Sequence, residues 1–592
     1  MDNGYYDPQG LALKIFQTRY AIHPKETFLE ACDRVAYHVA QAEQGEKIAE
    51  WREVFADVLK KNLFVPGGRI TYGAGRPKGQ LLNCFVIPAT DSKEGWGKTT
   101  SDFMVISMTG GGVGTNFSPV RHRQATINGT GGTASGAVSL MKGINAFGEE
   151  IRQGGGRRVA LMQALDVDHG DIQEFMSVKL DKKELNNANV SVIFREDPEA
   201  FFEKVKNGED YELKFNGKLI RKINAKEVWD KIIQNSLTGG EPGILNGFFA
   251  NKMSNIGYYQ LLICTNPCGE IWLIAYDCCD LGHLVLPQFV DLKTRKLDWD
   301  LLKHTAATGI RFLDNVLSVN NYPLPEIKET ASNIRRVGLG VTGLHDMLLL
   351  MGHKYNSSEG LEIVDKVMSV IKNASYEASI DLAKEKGPFP MFDPENYLKG
   401  GFAKTLKPSL REKIKKFGMR NCAVNTVAPV GTGSMVSGIK NIACGVSSGI
   451  EPAFAAAYWR RWLKEGVLTK EVVIHPLFKW FMDSVYDVGH FQGAHEISLR
   501  DHLEMQRVVQ RHVDNAVSKT LNVPQGVSTD ELSKLFMEYL PELKGVTVYP
   551  EGSRVDQPLT PMDLNEAINH YRNVGGDAES TEASCKGGTC EI

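Results

Sequence analysis

The 592 residues carry 68 basic and 71 acidic side chains, so the net charge of -3 is a difference between two nearly equal numbers. That balance excludes a protein held to nucleic acid by bulk charge, and 42% apolar with 23% charged residues excludes a disordered or membrane-embedded class. No uncharged apolar run reaches the roughly 20 residues that cross a bilayer, and MDNGYYDPQG has no basic start followed by an apolar segment, so no membrane association and a reducing cytoplasmic location are expected.

Residues 11–62 predict helices. Phe28, Leu29, Cys32, Val35, Ala36 and Val39 recur at helical spacing, which makes Cys32 a small core residue. From Pro66 onward short apolar runs, at 81–87, 190–194, 271–276 and 546–549, alternate with long helical patterns, the signature of an α/β domain. Ser528-x-x-Glu531 before Leu532, Leu535 and Phe536 predicts a capping box. There is no internal repeat. The expected organisation is a helical region over 1–62, a catalytic body over 63–560 and a flexible tail over 561–592 that ends DAESTEASCKGGTCEI. About twenty flexible residues span roughly 25 Å, near the roughly 25 Å radius of gyration of such a chain, so a cysteine at the tail's end can visit an interior site.

Ten cysteines are too dilute for a disulfide scaffold, yet six cluster: Cys264, Cys268, Cys278 and Cys279, then Cys585 and Cys590 at the end. The first group opens with Cys264-Thr265-Asn266-Pro267-Cys268-Gly269-Glu270. In an extended segment Asn266, Cys268 and Glu270 share one face, setting a thiol between an amide and a carboxylate. With an ordinary pKa of about 4.3, Glu270 is expected to be ionised at neutral pH and able to accept a hydroxyl proton. A structural zinc site built from Cys264, Cys268, Cys278 and Cys279, in a binding module without catalysis, is disfavoured because adjacent Cys278 and Cys279 point opposite ways on a strand. A thiol hydrolase needs a neighbouring histidine, and the nearest, His283, is fifteen positions from Cys268. The glycines at 110–114 lack the lysine of a P-loop and by themselves mark a tight turn. Residues 428–434, APVGTGS, read as a loop opening a helix, with N–H groups and hydroxyls suited to an anion.

The string TNPCGE, with a cysteine eleven residues after Cys268, resembles the finger loop of ribonucleotide reductases. FVPGGRI, LLNC, GGGVGTNFSPVR, GGTASGAVS, RRVGLGVTG, SSGIEP and VTVYPEGSR agree with that family in order, from about residue 11 to the end. The resemblance implies a ten-stranded α/β barrel, two parallel five-stranded halves, with the thiol loop threaded through its centre. It implies that Cys268 carries a thiyl radical that removes the 3′-hydrogen of a ribonucleotide, that Glu270 takes the 3′-hydroxyl proton and that Asn266 holds the ribose hydroxyls. Cys84 and Cys279 are implied as the pair that supplies two electrons and becomes a disulfide, with Cys278 a bystander. Cys585 and Cys590 are implied to re-reduce that pair by thiol exchange, with thioredoxin or glutaredoxin as external donor. Asn83 and Gly112 are implied against the substrate, and Pro429, Val430, Gly431, Thr432, Gly433 and Ser434 around its phosphates. Asp91, Arg121 and Arg157 are implied at a site that reads a deoxynucleotide effector. The chain departs from the family pattern at Val430, Asp280 and His283, where Thr, Asn and Ser are commoner, at Ile271-Trp272, and in extra residues around 439–444.

Three classes of the family differ in how the thiyl forms, and the glycyl-radical class has its own C-terminal glycine motif, in whose place a tail with Cys585 and Cys590 stands here. The metal-dependent class uses two adjacent tyrosines late in the barrel, and adjacent tyrosines stand here only at Tyr5-Tyr6 and Tyr258-Tyr259. VTVYPEGSR and PGGRI are similar instead to the adenosylcobalamin-dependent class, which implies that cofactor, no protein ligand to its cobalt and no other metal. The metal-dependent large subunit, needing a radical-generating partner, is the alternative. Diphosphate substrates and a homodimer are the expectation, and overall control by ATP is expected to be absent because only ten residues precede LALKIFQTRY.

Overall fold

The computed structural model describes residues 4–574 apart from 130, 152–158, 181–183, 465–466, 485 and 552–558. Three helices, Gly10–Arg19, Phe28–Ala40 and Lys47–Lys60, open the chain. The second is stopped at its N-terminus by a complete capping box, in which Thr27 Oγ1 accepts from the Glu30 N–H and Glu30 Oε2 accepts from the Thr27 N–H at 2.8 Å. Its apolar face buries Cys32, Val35, Ala36 and Val39, as helical spacing requires. Phe55 of the third helix meets Phe312 of the Trp299–Val319 helix edge-on at 5.1 Å, joining the helical region to the main core. At Ser528 only half of the expected box is described: its hydroxyl accepts from the Glu531 N–H.

An eight-stranded sheet runs in the order Asp277–Cys279, Cys84–Val86, Gly112–Asn116, Leu161–Asp166, Ala188–Phe194, Gly243–Asn246, Gly545–Pro550, Thr520–Val523. The five strands from Cys84–Val86 to Gly243–Asn246 are mutually parallel, and their neighbours on both sides run antiparallel to them. Only Asp280 separates Asp277–Cys279 from Leu281–Val285, which lies parallel to Gly338–Thr342 in a second sheet. Parallel bridges Leu339↔Asn425 and Val427↔Val517 continue from there toward Thr520–Val523, the far end of the first sheet. The fold is thus α/β, with an N-terminal helical region and a large mixed sheet arranged as a barrel-like domain.

Two expected strands are shorter than their apolar runs. The run at 81–87 pairs from Cys84, and of the run at 271–276 only Trp272–Leu273 is strand, the next strand, Asp277–Cys279, beginning just after it. Tyr276 marks the break: its φ is 56°, outside the strand region, and its hydroxyl donates to Asp102 at 2.9 Å.

Gly114 shows how tightly the interior is filled. A Cβ there would stand 1.9 Å from the carbonyl oxygen of Thr265. Gly114→Ala is therefore expected to destabilise the fold by about 1–3 kcal/mol, read as a lowered Tm in thermal denaturation.

Candidate active site

Cys264–Thr265 and Trp272–Leu273 form a short antiparallel hairpin, Cys264 opposite Leu273 and Thr265 opposite Trp272. At its tip the Gly269 N–H donates to Asn266 O at 3.1 Å and the Asn266 N–H to Ile271 O at 3.2 Å. Pro267 supplies the fixed φ of the turn and Gly269 its left-handed residue, φ 80°. The extended segment expected from alternation is thus replaced by a turn. Asn266 instead folds back on itself, its Oδ1 accepting from the Ile271 N–H at 3.2 Å.

Groups from several elements hold this hairpin. Asn189 Nδ2 donates to Pro267 O at 2.8 Å, the Ala516 N–H to Glu270 O at 2.9 Å, and Thr426 Oγ1 to the same oxygen. At its base the Arg195 guanidinium donates to Leu262 O at 2.8 Å and to Ile263 O, while Trp272 Nε1 donates to Lys544 O at 3.1 Å. None of these partners is near the hairpin in sequence, so the turn is fixed by tertiary contacts.

The consequence is a crowded polar interior. Asn266 and Glu270 are buried, and Cys268 is partly exposed. Cys84 and Cys279 are directly paired residues of adjacent strands, so their side chains stand next to each other on one face of the sheet. A Cβ at Gly112 would stand 3.0 Å from Pro267 Cγ and 3.2 Å from Cys84 Sγ, so the thiol pair adjoins the turn that carries Cys268. Cys278, between them in sequence, sits opposite Phe85 and is buried. Among the described residues no group of three or more His, Cys, Asp or Glu is set to hold a metal ion, so the four clustered cysteines do not assemble as a zinc site.

Glu270 differs from its expected state. Burial pushes its carboxyl up to about 7, so at neutral pH a large fraction is protonated. Glu270 Oε2, Asn266 Nδ2, Thr265 Oγ1 and Asn83 Oδ1 are buried without a hydrogen-bond partner among the described residues. Buried polar atoms are almost always paired.

Residues 428–434 do open a helix, Gly431–Val436, but several of the expected donors are committed to protein. The Val430 N–H donates to Ser448 Oγ at 2.8 Å, the Thr432 and Tyr20 hydroxyls share a hydrogen bond, and Ser434 Oγ donates to Gly431 O at 2.9 Å. What remains for an anion is the N–H groups of the first helical turn. Ser448 and Tyr20 were not singled out from the sequence, although each lies in a quoted segment, SSGIEP and LALKIFQTRY. Asp91 and Arg121 are brought together as an ion pair, Nε to Oδ2 at 2.9 Å. Arg157, Cys585 and Cys590 lie outside the described residues.

The profile described as "Ribonucleotide reductase, barrel domain" matches residues 82–549, and "Ribonucleotide reductase, all-alpha domain" matches residues 6–79. The chain is 32% identical to a vitamin B12-dependent ribonucleoside-diphosphate reductase of Mycobacterium tuberculosis, over 98% of this chain and 84% of the relative. It is 35% identical to a protein of the same description from Thermoplasma acidophilum, over 87% of this chain and 67% of the relative. A ribonucleoside-diphosphate reductase subunit alpha of Chlamydia pneumoniae is 28% identical, over 76% of this chain and 48% of the relative.

Proposed function

This chain belongs to the ribonucleotide reductase family, and from that membership we infer that it is an adenosylcobalamin-dependent oxidoreductase that converts ribonucleotides to 2′-deoxyribonucleotides. One observation carries the reading of the site: a tertiary-braced turn presents Cys268 between Asn266 and Glu270, next to the Cys84/Cys279 thiol pair.

When bound, adenosylcobalamin supplies a one-electron oxidant by homolysis of its cobalt–carbon bond. The residues fit such a group on one side of the turn, where Cys268 and Gly269 are partly exposed and a Cβ at Gly269 would meet nothing within 4 Å. Those two residues are the ones it would rest against. The thiyl of Cys268 takes the hydrogen from C3′ and becomes a thiol. Glu270, in its carboxylate form, accepts the 3′-hydroxyl proton while Asn266 donates to a ribose hydroxyl. The 2′-hydroxyl leaves as water, taking its proton from the thiol pair. Cys84 and Cys279 supply two electrons and two hydrogens in all and end as a disulfide, and Cys268 returns its hydrogen to C3′. The sum is ribonucleotide plus dithiol giving deoxyribonucleotide, disulfide and water.

Further parts of the reading rest on resemblance together with placement. The pairings described above support a closed ring of ten strands, two parallel halves of five, within a catalytic body at 63–560 between a helical region at 1–62 and a tail at 561–592. The relatives' description supports diphosphate substrates, with Asn83, Gly112 and residues 429–434 contacting them. The Asp91–Arg121 pair, with Arg157, is assigned to a deoxynucleotide effector. The helices Lys93–Met108 and Ala137–Glu150 expose Val105, Met108 and Phe147, an apolar face that supports a homodimer. No described helix is long and apolar enough to cross a membrane, which accords with a cytoplasmic location.

Purified chain given adenosylcobalamin, a small dithiol and a ribonucleoside diphosphate, with no second protein, is expected to form deoxynucleotide. Turnover only with a metal-loaded partner protein would contradict this. In the tail, Cys585→Ser combined with Cys590→Ser is expected to spare turnover driven by a small dithiol and abolish turnover driven by thioredoxin; equal loss with both reductants would refute the shuttle.

A further inference from the structure

His283 lies four residues beyond Cys279, past the switch between the two sheets at Asp280. It stands where the family more often has Ser, and nothing in the reaction above uses it. Its ring is 3% exposed, and Nδ1 has no hydrogen-bond partner among the described residues, the same condition as Asn266 Nδ2 and Glu270 Oε2. Burial alone pulls its pKa down to about 3, so the ring is neutral, with one nitrogen a donor and the other an acceptor.

Register fixes which way this ring faces. His283 is paired with Val65 on one side and Gly340 on the other, and directly paired residues project from the same face of a sheet. A Cβ at Gly340 would stand 3.4 Å from His283 Nδ1 and 2.3 Å from Thr426 O. Thr426 is the residue whose hydroxyl grips Glu270 O, and its strand leads into Pro429 at the start of the anion loop. On the other side, Val65 Cγ1 is 3.6 Å from the Cβ position of Gly433 in that loop. The imidazole thus sits on the strand that follows Cys279, beside Val65, whose side chain reaches the loop. His283 is four positions along from Cys279, at most roughly 13 Å in extended chain, a distance on the scale of a ribose carrying a chain of phosphates.

Resting on the reductase reading above, we propose that His283 is a substrate-binding residue whose Nδ1–H donates to a phosphate oxygen of the ribonucleotide, adding a neutral side-chain donor to the backbone N–H groups of residues 431–433. A neutral donor suits this place: it binds the anion at any pH at which the protein works, and it brings no charge into the buried interior.

The test is equilibrium dialysis of cytidine, cytidine diphosphate and cytidine triphosphate against the full chain with adenosylcobalamin present. His283→Leu, which keeps bulk and removes both nitrogens, is expected to weaken both nucleotides about tenfold or more and leave cytidine within about twofold. His283→Asn, whose side-chain amide stands close to the position of Nδ1, is expected to restore most of that loss. His283→Ser, the commoner family residue, serves if the leucine variant does not fold, with the same expected loss. Equal weakening of nucleoside and nucleotides, unchanged nucleotide binding, or no rescue by Asn would each overturn the proposal while leaving the reductase reading intact. A wild-type chain that binds none of the three would overturn both.

Discussion

Cys268→Ser is expected to lower the rate of deoxynucleotide formation by roughly 10⁴-fold or more, a barrier increase above about 5 kcal/mol, while nucleotide binding and thermal stability stay close to wild type. A serine fits the turn: Pro267 and Gly269 fix the backbone, and the position is only partly buried. What it cannot do is give up its hydrogen atom to a one-electron oxidant and take it back, because an O–H bond is much stronger than an S–H bond. Steady-state assays beside equilibrium dialysis separate the two effects. A variant that binds poorly as well as turning over slowly would mean that the side chain shapes the pocket and does not carry the chemistry.

Glu270→Gln is expected to cost about 10²- to 10⁴-fold in turnover and to remove one limb of the pH profile. With the carboxyl raised to about 7 by burial, the wild-type rate should climb as pH rises through that value, since only the carboxylate accepts a proton. The glutamine variant should show no such limb. Stability moves the other way. A carboxyl whose folded pKa lies above its unfolded value favours the folded state below the unfolded pKa, near 4.5, and that contribution is lost as pH rises through about 7. Above pH 8 the Glu270→Gln chain should therefore be the more stable of the two, by on the order of 3 kcal/mol, as urea denaturation at pH 5 and pH 8.5 would report. A base held in an unfavourable place explains why one substitution can raise stability and destroy activity.

The candidate residues Asn266, Cys268 and Glu270 can be picked out of the sequence because they sit in one short string. Asn266, Cys268 and Glu270 needed no long-range information. Their geometry was another matter: alternation suggested one extended face, whereas Pro267 and Gly269 bend the string into a turn. Glu270's protonation was misjudged for a related reason, since burial is made by residues such as Thr426 and Ala516, which approach from 156 and 246 positions away in the chain. The pairing of Cys84 with Cys279 came from the family resemblance and not from spacing, and the strand register is what sets the two thiols side by side. Tyr20, Asn189, Arg195 and Ser448 escaped notice because each acts through long-range hydrogen bonds that leave no periodic trace. The helices of the first sixty residues were easier, because a helix's apolar stripe is written within the helix itself.

In the proposed reaction the sulfur of Cys268 takes and returns the hydrogen of C3′. A ribonucleotide carrying tritium at C3′, turned over by the purified chain with adenosylcobalamin and a small dithiol, tests it most directly. A hydrogen held on that sulfur is a thiol hydrogen and exchanges with solvent, so part of the tritium should appear in water as deoxynucleotide accumulates, and Cys268→Ser should yield neither. Deoxynucleotide formed by Cys268→Ser at a rate near that of the wild type would contradict the account.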